Sequence, residues 1–409
     1  MLRNYLTIAW KVLLRRRFFT FISLFGISLT LLVLLVAVSL LDHIFAARSP
    51  ESRLNRTLTV YQSIQYLDSY SRRTGPASYD FLDHTARQLK DAEAVTIFSV
   101  QSRVSGYLGT RKVKAYLKRT DASFWQVFDF KFIEGQPFSA LDDANARFVA
   151  VINESTRDRF FGGGSALGKT IELDDQRFRV IGVVRDVPIV RFAPFADVWV
   201  PMGTSKNAGT LKKLPEGFLA VVLAHKAGDL PALRAEFQRL VKAYPLPDSS
   251  YKWIEASLET FFEFVSRGFS NQSHPGILRA ILVVLAFLFM TLPAMNLMSI
   301  NLSRVSERSS EIGVRKAFGA PSSSLVAQFV VENLILTIIG GAIGLLLSTL
   351  VMAAINRSGA IPYAHLSLNL RIFWYALLLS VVFGLFSGVY PAWRMSRLHP
   401  VQALRGGAL

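Results

Sequence analysis

Hydrophobic and polar positions divide this chain into four long uncharged runs and one long mixed stretch. Phe18 to Leu41 carries no charge over 24 residues. Ala280 to Leu302 is uncharged and interrupted only by Pro293, Leu325 to Ile355 holds the single charge of Glu332, and Ile372 to Trp393 is uncharged around Pro391. About 20 apolar residues cross a bilayer as a helix, and membrane helices tolerate proline. The pattern therefore predicts four membrane-spanning helices at 18–41, 280–302, 325–355 and 372–393. The first run follows Arg15, Arg16 and Arg17 as a signal peptide would, but it is much longer than the roughly 7–15 residues of a signal core.

Between the first two runs, residues 42–275 alternate as a folded domain does. Thr57 to Ile64, Val95 to Val104 and Phe178 to Val184 are rich in β-branched and aromatic residues and predict strands. Asp80 to Lys90 and Leu230 to Ala243 carry apolar residues at helical spacing. An α+β domain of this size can bury its own core. In the first 17 residues, Tyr5, Ile8, Ala9, Val12 and Leu13 recur at helical spacing, which predicts an amphipathic helix on a membrane surface.

Charge gives the spans a direction. The chain has 46 basic and 29 acidic residues, net +17, but 42–275 holds 31 basic and 26 acidic residues and so little of the excess. The remainder flanks the apolar runs, which reads as topology and not as a nucleic-acid surface. Arg3, Lys11, Arg15, Arg16, Arg17, Arg304, Arg308, Arg315, Lys316, Arg394, Arg397 and Arg405 fall on one side; Arg279, Arg357 and Arg371 fall on the other. By the positive-inside rule both termini, the 303–324 loop and the 394–409 tail are cytoplasmic, and 42–275 lies outside.

Candidate chemistry is sparse. There is no cysteine, and the six histidines are scattered without a metal-ligand spacing. Gly163 to Thr170 matches the phosphate-binding pattern GxxxxGK(S/T), yet that loop needs a strand before it and a helix after it. Here Ser155 to Phe161 reads as helix, and Thr170 to Leu173 with Arg177 to Val184 reads as a hairpin, so the match is a decoy. Glu332, inside the third run, should face protein or the interface, with a structural pairing to a basic residue favoured over a proton relay. Gly340 with Gly344, and Gly384 with Gly388, set small residues on one helix face and permit close packing. In the 303–324 loop, Glu307 and Glu311 are one turn apart, as are Arg304 and Arg308. That pattern suits a docking element for another protein and equally a solvated connector.

The loop is also where the chain resembles a known family. Glu307-Arg308-Ser309-Ser310-Glu311-Ile312-Gly313-Val314-Arg315-Lys316-Ala317-Phe318-Gly319-Ala320 is similar to the E-R-x-x-E-I-G-I/V-R-K-A-x-G-A signature of FtsX-like, MacB-type ABC transporter permeases. Gln328 to Glu332 with Gly340 to Gly344 resembles that family's third helix, and Tyr390 to Arg394 with Pro400 to Arg405 its terminal motif. Leu167 to Thr170 with Val180 to Val184, and Asp121 to Trp125 with Glu134-Gly135, resemble its periplasmic core domain.

The resemblance implies a non-catalytic permease in a bacterial inner membrane, an α-helical membrane protein with a large α+β periplasmic domain inserted between its first and second helices. It implies a dimer, homo- or heterodimeric, in which Glu307, Arg308, Glu311, Ile312, Gly313, Arg315 and Lys316 couple to a separate cytoplasmic ABC ATPase. Only 17 residues precede the first span, so that ATPase, with its ATP and magnesium, is expected on another chain. No cofactor is expected on this one. Periplasmic motion would drive export of antimicrobial compounds, peptides or similar substrates, with a periplasmic adaptor and outer-membrane duct left open. The alternatives are a lipoprotein-releasing permease like LolC and LolE, an FtsX-like activator of a cell-wall hydrolase, and a stand-alone receptor.

Overall fold

The computed structural model describes residues 14–15, 17–66, 71–108, 111–206, 217–246, 251–269, 273–288 and 321–359, with single positions and short stretches at 314, 318, 363, 366–371, 373–375, 377–378 and 381–382. The chain forms two compact units, Ile44–Pro275 and the flanking segments Met1–His43 with Gly276–Leu409.

In the flanking unit, Arg17–Phe45 and Val330–Ser358, the latter part of a helix that starts at Ser322, are long and apolar enough to cross a membrane. Pro275–Leu288 is a shorter apolar helix. The other two predicted spans lie wholly or partly outside the described residues, so two of the four stand in the structure as long apolar helices. Both continue past the uncharged runs, through Arg17 and Arg357, because a polar flank does not stop a helix. The second ends where Gly359 adopts the left-handed conformation, a common helix stop.

Thirteen strands occur among the described residues of Ile44–Pro275. In chain order they are β1 (Thr57–Val60), β2 (Ser63–Tyr66), β3 (Arg72–Gly75), β4 (Ala92–Ser99), β5 (Ser102–Leu108), β6 (Arg111–Thr120), β7 (Phe132–Gly135), β8 (Val149–Asn153), β9 (Thr170–Leu173), β10 (Gln176–Val184), β11 (Val198–Pro201), β12 (Phe218–Ala224) and β13 (Trp253–Ala256). Ten of them form one mixed sheet in the order β1-β12-β4-β6-β11-β8-β10-β9-β5, with β7 added on β10. Strands β10 and β8, and β11 and β6, pair in parallel.

Because β5 pairs with both β6 and β9, the strands β5-β6-β11-β8-β10-β9 close into a ring. Its interior is filled by Val104, Leu117, Ile152, Leu173, Phe178, Val180 and Val198. Closure requires a glycine: a Cβ at Gly106 would lie 2.6 Å from Leu173 Cδ2 and 2.7 Å from the Glu172 carbonyl. The other half of the sheet, β1-β12-β4, packs on the Leu230–Ala243 helix, whose Leu233, Phe237 and Val241 recur every four residues on its buried face.

That helix spans the predicted residues. The expected Asp80–Lys90 helix is shorter, Tyr79–His84 and then a 3-10 turn; the backbone leaves regular helix at Thr85, whose buried hydroxyl donates to the Phe81 carbonyl. The expected strand Thr57–Ile64 is two strands in different sheets. Leu58 to Tyr61 are all buried, without a two-residue alternation, and between the two strands Tyr61 stacks on Phe264 at 4.1 Å. Val95–Val104 likewise divides between β4 and β5.

Candidate functional site

The coupling residues Glu307, Arg308, Glu311, Ile312, Gly313, Arg315 and Lys316 lie outside the described residues, as do Gly384 and Gly388. Within that loop Phe318 N donates to the Val314 carbonyl at 3.1 Å, a helical turn. Pro321 then precedes the Ser322–Ser358 helix, and its carbonyl accepts from Ser324 N at 3.0 Å. A helix of 37 residues is about 55 Å long, well beyond a hydrocarbon core of about 30 Å.

Glu332 is 3% exposed and sits on a buried polar stripe with Gln328, Asn333 and Thr337. Gln328 Nε2, one turn earlier on the same helix, donates to Glu332 Oε1 at 3.0 Å. Further along, Gly340 and Gly344 face the Arg17–Phe45 helix. A Cβ at Gly344 would lie 3.0 Å from both the Ser28 carbonyl and Leu31 Cβ; one at Gly340 would lie 2.8 Å from Ile27 Cγ2. Small residues here let two backbones approach closely. Ser28 keeps its own hydroxyl occupied on the Leu24 carbonyl at 2.6 Å. At the far end of the helix, Asn356 bonds Leu366 through both its amide groups, Nδ2 to the carbonyl and Oδ1 from N–H, each at 2.9 Å.

In the other unit, the chain that leaves the first long helix is held by a buried polar cluster. Arg191 Nη2 donates to the Ala46 carbonyl at 2.6 Å, and Nη1 donates to Glu51 Oε2 at 3.0 Å. Burial pushes the Glu51 carboxyl above its ordinary range, and Arg191 pulls against that shift. Nearby, Lys118 is fully buried, donates from Nζ to the Phe192 and Ala193 carbonyls, and lies 4.9 Å from the Phe98 ring. Burial holds its amine well below the usual lysine range, opposed by the charge of Glu51. Phe45 also packs on Phe261 and Phe262, at 5.9 and 5.5 Å, so the entering and leaving segments of Ile44–Pro275 touch. Sequence reasoning missed this cluster. Its members are separated by up to 145 positions and no local pattern marks them.

The motif residue Asp121 has a structural task. Its carboxylate accepts from Thr96 Oγ1 at 2.6 Å, Ile97 N at 3.0 Å, Arg87 Nη2 at 2.9 Å and Phe124 N at 3.2 Å, tying β4 to the turn before Phe124–Val127. The GxxxxGK(S/T) segment is equally structural. It follows the helix Glu154–Phe161 and leads into the β9–β10 hairpin, and its backbone is spent on β10: Gly168 N donates to Val180 O and Val180 N to Lys169 O, both at 2.8 Å. Lys169 Nζ lies over the Phe161 ring at 5.2 Å. Helix-terminal amides do not surround this loop, so it lacks the anion cradle of a nucleotide site. Among the described residues no group of three His, Asp or Glu could hold a metal.

Comparison with known proteins matches residues 20–240 to the MacB-like periplasmic core domain and 283–400 to the FtsX-like permease C-terminal domain. The macrolide export ATP-binding/permease protein MacB of Pasteurella multocida is 29% identical over 299 residues, 72% of this chain and 43% of that protein. MacB of Escherichia coli strain K12 is 24% identical over 98% of this chain and 60% of its own length. The uncharacterized ABC transporter permease YknZ of Bacillus subtilis is 23% identical over 82% of this chain and 81% of its own. The chain thus spans about half the length of the two MacB relatives. The periplasmic region of MacB from Actinobacillus actinomycetemcomitans aligns at a TM-score of 0.37 and 18% identity, over 54% of this chain and 94% of that one.

Proposed function

The chain belongs to the FtsX-like permeases with a MacB-like periplasmic core domain, and from that premise we propose that it is the membrane subunit of an ABC exporter that works on substrates in the periplasm. ATP is hydrolysed by a separate subunit seated on the cytoplasmic 303–324 loop, with Glu307, Arg308, Glu311, Ile312, Gly313, Arg315 and Lys316 as the contact. Two protomers pair, four helices per protomer span the membrane with both termini inside, and motion of the ATPase reaches the periplasmic domain through the helices.

The observation that carries this reading is the signature Glu307–Ala320, a mixed-charge helical sequence placed between two apolar runs with basic residues around it. The close approach of the Ser322–Ser358 and Arg17–Phe45 helices at Gly344 supports it, because motion entering one helix is then shared by the other. The cargo class follows the macrolide-export relatives: antimicrobial compounds, peptides or molecules like them. The test is purification of the chain from its native membrane in mild detergent. An ATP-hydrolysing protein is expected to come with it in a fixed ratio, and purification of the chain with no such protein would refute the reading.

A further inference from the structure

The small sheet β13-β2-β3 presents one face that the core does not use. Register sets Tyr66 of the central strand between Arg72 and Trp253, and Ile64 between Thr74 and Glu255. Ser63 and Gln65 are buried, so the alternate positions Ile64 and Tyr66, with their cross-strand neighbours, form the open face. Phe264, Val265, Arg267 and Gly268 wall it on one side. The result is two adjoining hollows of about 360 Å³ each that share Gln62, Ile64, Arg72 and Arg267. Small-ligand sites are commonly about 300–1,000 Å³.

The charges of this groove select its occupant. Arg267 is paired with Glu259. Glu255 accepts only neutral donors among the described residues, Tyr66 OH and Trp253 Nε1, both at 3.2 Å, which aim its carboxylate without cancelling the charge. Arg72 makes no side-chain hydrogen bond or ion pair with a described residue, and it is exposed. Among the described residues, one uncompensated cation and one uncompensated anion therefore stand on the two outer strands, with the stacked Tyr66–Trp253 pair at 4.3 Å and apolar Ile64, Phe264 and Val265 between or beside them.

We propose that this groove binds a short peptide with free termini, lying across the strands with its carboxylate at Arg72, its ammonium at Glu255 and an apolar side chain against Ile64, Phe264 and Val265. A ligand with one charge of either sign meets a like charge in the groove; a ligand with both meets two partners. Spacing narrows the choice further. The outer strands are about 10 Å apart, twice the spacing of neighbouring strands, and extended chain covers about 3.3 Å per residue, so three residues fit. The ammonium and phosphate of a lipid headgroup lie too close together to reach both. As a substrate site the groove rests on the export reading, whereas peptide binding itself does not.

Titration calorimetry of the purified full chain, with no ATPase present, tests this with the tripeptide Ala-Phe-Ala and the same peptide acetylated and amidated at its ends. The free peptide is expected to bind, and the blocked peptide on the order of 100-fold more weakly, about 10-fold for the charge-assisted pair lost at each end. Arg72→Gln and Glu255→Gln should each weaken the free peptide by about 10-fold or more. The double reversal Arg72→Glu with Glu255→Arg should bind it more tightly than Arg72→Glu alone, since the peptide can turn round. No binding to the wild-type chain, equal affinity for free and blocked peptide, or indifference to both single variants would overturn the proposal. Binding in this titration, together with purification of the chain from its native membrane with no ATP-hydrolysing protein, would retain the site and remove the exporter.

Discussion

Glu311→Arg is expected to leave the chain inserted and abundant while abolishing coupled transport. Glu307 and Glu311 are four positions apart in the sequence, and on a helical loop they would present paired carboxylates to a basic surface on the ATPase. At about 4 Å and an effective dielectric of about 20, a unit-charge pair is worth about 4 kcal/mol, and reversal turns attraction into repulsion of similar size. Substrate-stimulated ATP hydrolysis in the reconstituted complex should fall about 100-fold or more, toward the rate of the ATPase alone. Glu311→Gln, which removes the attraction without adding repulsion, should lose closer to 10-fold. Wild-type stimulation in Glu311→Arg would remove the loop from the mechanism.

The second large effect lies in the membrane helices. Gly344→Leu cannot be absorbed by a rotamer change, because the atoms in its way are the Ser28 carbonyl at 3.0 Å, Ser28 Cα at 3.3 Å and Leu31 Cβ at 3.0 Å. The helices must separate. Overpacking costs about 1–3 kcal/mol, and a backbone obstacle places this substitution at the upper end, a fall on the order of 5–10 °C in the unfolding midpoint of the full chain in detergent. Gly341→Ala is the contrast. Its Cβ would meet Leu377 Cδ1 at 2.6 Å, the far end of a side chain that can swing away, so the midpoint should move by about 2 °C or less. Equal effects of the two would show that these helices do not pack through Gly344.

Local regularity was legible and long-range closure was not. The apolar runs at 18–41 and 325–355 and the periodic Leu230–Ala243 helix each repeat one pattern over many residues, and they stand in the structure as helices. The break at Tyr61 was hidden because consecutive buried residues look like any apolar strand. The closed ring depends on Gly106 meeting Leu173, a contact between positions far apart in the chain with no motif at either end. For the same reason the Arg191–Glu51 clasp, 140 positions apart, could not be read in advance. The decoy loop was readable because its meaning depends on its immediate neighbours, helix before and hairpin after. The coupling surface rests on its motif alone, since its residues lie outside those described.

Coupling, as proposed, passes through the 303–324 loop, which must face the ATPase compartment. The chain contains no cysteine, so Ser309→Cys introduces one label site without background. A membrane-impermeant maleimide applied to intact cells or spheroplasts, and then to inside-out vesicles, reads its side directly. Labelling is expected only in the inside-out vesicles, with protection when the ATPase is bound. Labelling of the Ser309→Cys variant from outside intact spheroplasts would contradict the cytoplasmic placement of the loop and with it the coupling mechanism.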